Sequence, residues 1–138
     1  MKIVAIVGSL RKDSYNKRIA EFIKERFKEK VEIEIILLHD LPMFNQDDEK
    51  NPSQEVKDFK DKIRNSDGIL FLTPEYNYSI PAVLKNALDW CSREDRPMVD
   101  KPTFIVGASI GNVGTARCQI DLRKVLNSPG IAALNLPG

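Results

Sequence analysis

Ile3-Val4-Ala5-Ile6-Val7-Gly8-Ser9-Leu10-Arg11-Lys12-Asp13-Ser14-Tyr15-Asn16 is the stretch that decides how this chain folds. Five apolar residues in a row read as a strand buried on both faces, the kind found in parallel sheets. The run stops at Gly8, and a helical pattern opens after Ser14, a good N-cap residue. Between strand and helix lie two hydroxyls, an amide and an arginine, placed where the helix dipole already favours an anion. Arg11 adds fixed-geometry donors suited to phosphate, and only Asp13 is near enough in sequence to claim it. Ser9, Ser14 and Asn16 would serve equally as ordinary caps and turn formers. Two other phosphate motifs are excluded: the segment lacks the second Gly and the Lys-Ser/Thr pair of a P-loop, and no G-x-G-x-x-G follows any strand. Nucleoside triphosphate hydrolysis is therefore not expected.

The same grammar recurs along the chain. Runs of strand length at Ile3 to Val7, Ile33 to Leu38, Gly68 to Thr73 and Thr103 to Ala108 alternate with helical patterns, which is the α/β signature. The first helix is expected to bury Ile19, Phe22, Ile23 and Phe27, and the second, starting at Ser53, Val56, Phe59 and Ile63. The third begins at Ser79-Ile80-Pro81 and buries Val83, Leu84, Ala87 and Leu88. The fourth starts near Thr115, a good cap residue, and presents Cys118, Leu122, Val125 and Leu126. A doubly wound parallel sheet covered on both faces follows. Leu41 to Ser53, rich in Pro and polar residues, reads as a surface connection within a single domain spanning residues 1–138.

Composition narrows the function. With 21 Lys+Arg against 20 Asp+Glu in 138 residues, the net charge is +1, too small a field to hold nucleic acid or an anionic membrane. No stretch approaches the eighteen or so apolar residues needed to span a bilayer, and a cytoplasmic location is expected. Cys91 and Cys118 form no CxxC and read as reduced thiols, and a single histidine, His39, rules out any site needing two imidazoles, so no metal is expected.

In an open parallel sheet, ligands bind outside the carboxyl ends of the strands. The loops there are the unusual ones: Gly8 to Asn16, Thr73-Pro74-Glu75-Tyr76-Asn77-Tyr78-Ser79, and Gly107-Ala108-Ser109-Ile110-Gly111-Asn112-Val113-Gly114-Thr115. Tyr76 and Tyr78, flanked by Pro74 and Asn77, are either surface aromatics or a flat face for a planar heterocycle. The glycines are either a flexible loop or a way to bring backbone amides close to a ring edge.

Together, Gly8-Ser9-Leu10-Arg11-x-x-Ser14-x-Asn16, Pro74-Glu75-Tyr76-Asn77 with Ser79-Ile80-Pro81-x-x-Leu84-Lys85-Asn86-Ala87-Leu88-Asp89-Trp90, and Gly107-Ala108-Ser109 through Ala116-Arg117-Cys118-Gln119-x-x-Leu122-Arg123 resemble the NAD(P)H-dependent FMN reductases, nearest the chromate and quinone reductase branch. The resemblance spans essentially the whole chain. It implies a flavodoxin-like fold with strand order 2-1-3-4-5, and FMN with its phosphate on Ser9, Arg11, Ser14 and Asn16 and its ring against Pro74, Glu75, Tyr76, Asn77, Ser109 and Gly111. It further implies NADPH or NADH as electron donor, a small-molecule electron acceptor, ping-pong turnover with no catalytic side chain, and a homodimer or homotetramer built on helices three and four. Glu75 and Arg117 either pair to fix the neighbouring loops or subunit or form no more than a solvated surface pair. A flavodoxin-like electron carrier without its own NAD(P)H activity is the alternative, against which the near-neutral charge argues, and a flavin- or nucleotide-binding module without turnover is a third reading.

Three departures stand out. Asp13 replaces a usual Gly and is expected to weaken FMN retention unless it turns outward, and Thr115 replaces another Gly in the loop at the ring edge. Ile131 to Leu136 reads as the start of a fifth strand, with the final helix of the family absent before Gly138. A poorly covered sheet edge is the expectation, whether the chain is a fragment or a subunit interface fills the gap.

Overall fold

The computed structural model describes residues 1–137 and contains five parallel strands in the order β2-β1-β3-β4-β5. The elements follow one another as β1 (Lys2–Val7), α1 (Tyr15–Phe27), β2 (Glu32–Leu37), α2 (Gln54–Arg64), β3 (Gly68–Leu72), α3 (Ala82–Cys91), β4 (Pro102–Val106), α4 (Ala116–Leu126) and β5 (Leu134–Asn135). β1 sits between β2 and β3, pairing Ala5 with Ile35 on one side and Leu70 on the other, and its residues from Val4 to Val7 are fully buried. The unbroken apolar run of that strand is thus explained by neighbours on both edges and packing on both faces.

The sheet divides the core in two. One face carries Val4, Ile6, Ile69, Phe71 and Ile105, against Phe59 and Ile63 of α2, Leu84 and Leu88 of α3, and Leu122 and Leu126 of α4. The other carries Ala5, Val7 and Leu72 against Ala20 of α1, with Ile19 and Ile23 half-buried beside it. The large aromatics of α1 depart from expectation, since Phe22 is 67% exposed and Phe27 is 41% exposed. The buried stripe of α1 holds Asn16 and Ala20; Phe22 projects from a different side of the helix, whereas Phe27 continues the same stripe but is the last residue of the helix. Phe104 extends the row of Val106 on the same sheet face and is 38% exposed, so coverage of that face by α1 stops short of β4. β5 forms over two residues only, shorter than the run from Ile131 to Leu136, and Ile131 is instead buried in the large core.

Several helix ends differ from the simple capping reading. Ser14 caps α1 by accepting from Lys17 N at 3.4 Å, as its position implies. Ser53 and Thr115 stand at the N-cap positions of α2 and α4 but make no side-chain cap bond, and Pro81 is the N-cap of α3 rather than part of its first turn. Asn86 and Trp90 fasten the connection after β2. The Asn86 amide accepts from Phe44 N at 2.7 Å and donates to Pro42 O at 2.8 Å, and Trp90 Nε1 donates to the same carbonyl at 2.8 Å. Much of the Lys85-to-Trp90 signature is therefore a clamp on a surface loop. No helix among the described residues is long and apolar enough to cross a membrane.

Candidate functional site

The three unusual loops meet at the carboxyl edge of the sheet. Ser9, Arg11, Ser14, Asn16, Pro74, Glu75, Tyr76 and Ser109, joined by Tyr15, Ala108 and Ile110, line one cleft of about 160 Å³. Asn77 and Gly111 line a wider adjoining cleft of about 400 Å³, together with Tyr78, Asn112, Val113, Gly114 and Arg117. Glu75 and Ser109 border both.

At the α1 end, Ser9 and Ser14 are buried polar groups, at 4% and 3% exposure. Each hydroxyl accepts from a backbone N–H, Ser9 from Arg11 at 3.3 Å and Ser14 from Lys17, which leaves its own proton to donate. Tyr15 and Asn16 are the first two residues of α1, so their N–H groups have no carbonyl within the helix to bond. Arg11 is exposed, stacks 5.4 Å from the Tyr15 ring centroid, and forms no ion pair among the described residues, with Asp13 or any other carboxylate. Asp13 is exposed. Hydroxyls, unbonded N–H groups and an uncommitted guanidinium at a helix N-terminus make a donor set that fits a phosphate monoester. Asn16 plays a part its position in the motif did not reveal. Its side chain, 2% exposed, accepts from Ala108 N at 3.0 Å and donates to Ala108 O at 3.3 Å, clasping the loop after β4.

At the other end, Tyr76 to Ser79 is a tight turn closed by Tyr76 N to Ser79 O and Ser79 N to Tyr76 O bonds, each 3.1 Å. Both central residues have positive φ, 49° at Asn77 and 66° at Tyr78, as a mirror-image hairpin turn requires. Asn tolerates that region; a tyrosine there is strained and needs outside support. Helix α4 supplies it. The Arg117 guanidinium lies 4.3 Å over the Tyr78 ring, and Ser79 Oγ donates to Asp121 Oδ2 at 2.8 Å. Cys118 Sγ donates to Pro74 O at 3.4 Å.

Glu75 completes the attachment. Its Oε2 accepts from the N–H groups of Arg117 and Cys118, both at 3.0 Å, and its Oε1 accepts from the Arg117 guanidinium at 3.3 Å. The expected Glu75–Arg117 pair is thus present within one chain. The Cys118 N–H foremost, and then Arg117, hold the Glu75 carboxyl below its ordinary range. Burial pushes the Cys118 thiol up, so it is a neutral donor in this loop. The Ser79 hydroxyl, followed by Lys124, lowers Asp121.

Thr115, which replaces a glycine of the resembled family, shapes the loop after β4. A Cβ on Gly107 would fall 1.8 Å from Thr115 Oγ1, so the hydroxyl occupies the space above that glycine and accepts from Gln119 Nε2 at 3.1 Å. Gly114, at φ 66°, takes the left-handed turn into α4.

A sequence profile described as NADPH-dependent FMN reductase matches residues 1–137. The chain belongs to the NADPH-dependent FMN reductase family. It is 42% identical over 137 residues to a Vibrio ruber protein named NADH:(hydroxy)cinnamate reductase subunit CrdA, covering 99% of this chain and 68% of that one. It is 37% identical over 141 residues to the quinone reductase of Escherichia coli K12, covering 99% and 75%. Among solved structures, FerB from Paracoccus denitrificans, a flavoenzyme NAD(P)H:(acceptor) oxidoreductase, superposes with a TM-score of 0.90 at 32% identity, covering 99% of this chain and 75% of that one. As a member of this family the chain is an NAD(P)H-dependent oxidoreductase that uses FMN, and a pure electron carrier is not favoured. The sheet order 2-1-3-4-5 agrees with the flavodoxin-like fold.

Proposed function

We propose that this protein passes electrons from NADH or NADPH to a small planar acceptor of the quinone class through FMN held across the two clefts. The convergence of all three loops in one crevice, with unspent phosphate donors at one end and a braced aromatic turn at the other, carries this reading. Ser9, Arg11, Ser14 and the first-turn N–H groups at Tyr15 and Asn16 receive the phosphate. Pro74, Glu75, Tyr76, Asn77, Ser109 and Gly111 frame the ring, with the backbone N–H groups of Glu75 and Asn77 offered to its polar edge, since that of Tyr76 is spent on Ser79 O. Bound there, FMN would supply the hydride-accepting and electron-transferring chemistry. The protein's residues bind and orient; no side chain is required to move a proton. Donor and acceptor occupy the wider cleft in turn, which makes the kinetics ping-pong. The chain acts as one domain in the cytoplasm, as a homodimer or homotetramer; the Vibrio ruber relative is itself named a subunit.

The test is reconstitution with FMN, followed by steady-state oxidation of NADH and of NADPH with a benzoquinone. A yellow protein with parallel double-reciprocal lines is the expected result. Bound flavin that a protein partner reduces, but neither nicotinamide does, would overturn the proposal in favour of the carrier.

A further inference from the structure

We propose that Glu75 is a positioning residue, acting as a detached N-cap of α4 that holds the two loops around the ring end of the cleft at a fixed separation. The proposal rests on the reading of that cleft as the flavin site. Helix α4 starts without a cap of its own, because Thr115 makes no side-chain cap bond and its hydroxyl is turned to Gly107 and Gln119. A cap residue ordinarily accepts from the second or third N–H of its helix. Here those two groups, on Arg117 and Cys118, both donate to Glu75 Oε2, which arrives from a loop 42 and 43 residues earlier in the chain. Negative charge at this helix terminus is favoured by the dipole.

The second oxygen extends the attachment. It holds the Arg117 guanidinium, and that guanidinium covers the Tyr78 ring, whose positive φ needs bracing. With both oxygens committed to α4, the Glu75 side chain is not the group that meets a ligand. Its backbone and the Tyr76–Ser79 turn are, and their placement follows from the cap.

Glu75→Gln separates capping from charge, because its amide oxygen still accepts from both N–H groups while its NH₂ replaces the oxygen facing Arg117. Glu75→Ala removes both. In apo protein, E75A is expected to speed amide exchange at Arg117 and Cys118 about ten-fold, the scale of losing a cap, with α1 and α2 unchanged. E75Q should stay within about three-fold of the parent. FMN dissociation constants, read by fluorescence quenching, should follow the same order, weakened about ten-fold in E75A and rescued in E75Q. Parent-like exchange at the two amides in E75A refutes the cap. Faster exchange with unaltered FMN affinity refutes its role in placing the ring loops. E75Q binding FMN as weakly as E75A, with its amides protected, shows that the charge and not the cap sets the affinity and refutes it too. Glu75→Asp, which withdraws the oxygen by one methylene, stands in if E75A does not fold. A parent protein that takes up no FMN defeats the cofactor reading, while the exchange measurements still decide the cap.

Discussion

Gly107→Ala should destabilise the protein through a clash that no side-chain rotation can relieve. An added Cβ would lie 1.8 Å from Thr115 Oγ1, 2.7 Å from its Cβ and 2.9 Å from its Cγ2. Turning χ1 of Thr115 moves Oγ1 and Cγ2 but leaves Cβ in place. The backbone must therefore shift, either in the loop after β4 or in the first turn of α4, and Thr115 is only 3% exposed. Overpacking of this kind costs about 1 to 3 kcal/mol. The φ of Gly107 lies outside the left-handed region, so alanine meets no conformational penalty there and its effect is steric alone. Thr115→Gly alone should cost about 1 kcal/mol, from lost contacts and added chain entropy. In the double variant the alanine methyl takes the vacated space, and the coupling should recover about 1 to 2 kcal/mol. Urea unfolding of the parent, both single variants and the double variant measures all terms, with m-values checked for constancy. Gly107→Ala within about 0.5 kcal/mol of the parent, or strict additivity in the double variant, would refute the steric account.

Arg11→Ala should weaken FMN binding about ten-fold or more, the scale of one charge-assisted hydrogen bond, as measured by fluorescence titration. Asp13→Gly should tighten FMN binding in the same assay, by removing a carboxylate next in sequence to Ser14, though Asp13 is exposed and does not line the cleft. Asn86→Ala leaves Phe44 N without its side-chain partner and Pro42 O with the Trp90 Nε1 bond alone. It should cost about 1 to 3 kcal/mol and open the 41–53 connection to limited proteolysis. The lowered Glu75 carboxyl contributes stability that is fully present above its unfolded value of 4.5 and is lost as pH falls through the folded value. Thermal melts from pH 6 to pH 3 should therefore show a decline that is shallower in Glu75→Gln.

Periodicity and loop chemistry were legible wherever the deciding contacts lie close in sequence. The run from Ile3 to Val7, the Ser14 cap and the buried stripe of Val56, Phe59 and Ile63 all rest on neighbours within a turn or on a flat sheet. On α1, Ile19 and Ile23 pack beside Ala20 as their spacing implies, while Phe22 stands off that stripe and Phe27 ends the helix, two positions whose hydrophobicity alone does not reveal their exposure. Thr115 looked like a cap from its type, yet the carboxylate that bonds those N–H groups comes from Glu75, across two elements. The same holds for Asn16 and Asn86, whose amide bonds reach Ala108 and the Pro42–Phe44 segment. Amide side chains carry no sign in a sequence that tells a ligand contact from a clasp on distant backbone.

The Asn16–Ala108 clasp spans 92 residues of chain and ties the phosphate end of the cleft to its ring end through one side-chain amide and the main-chain atoms of Ala108. On the flavin reading, this makes the crevice a bivalent receptor with a set gauge. A molecule that reaches both ends at once gains the effective concentration of its second contact, whereas riboflavin or a bare phosphate engages one end and gains none. Selection for the mononucleotide then comes from length as much as from charge, and loosening the clasp would erode it without touching a single donor.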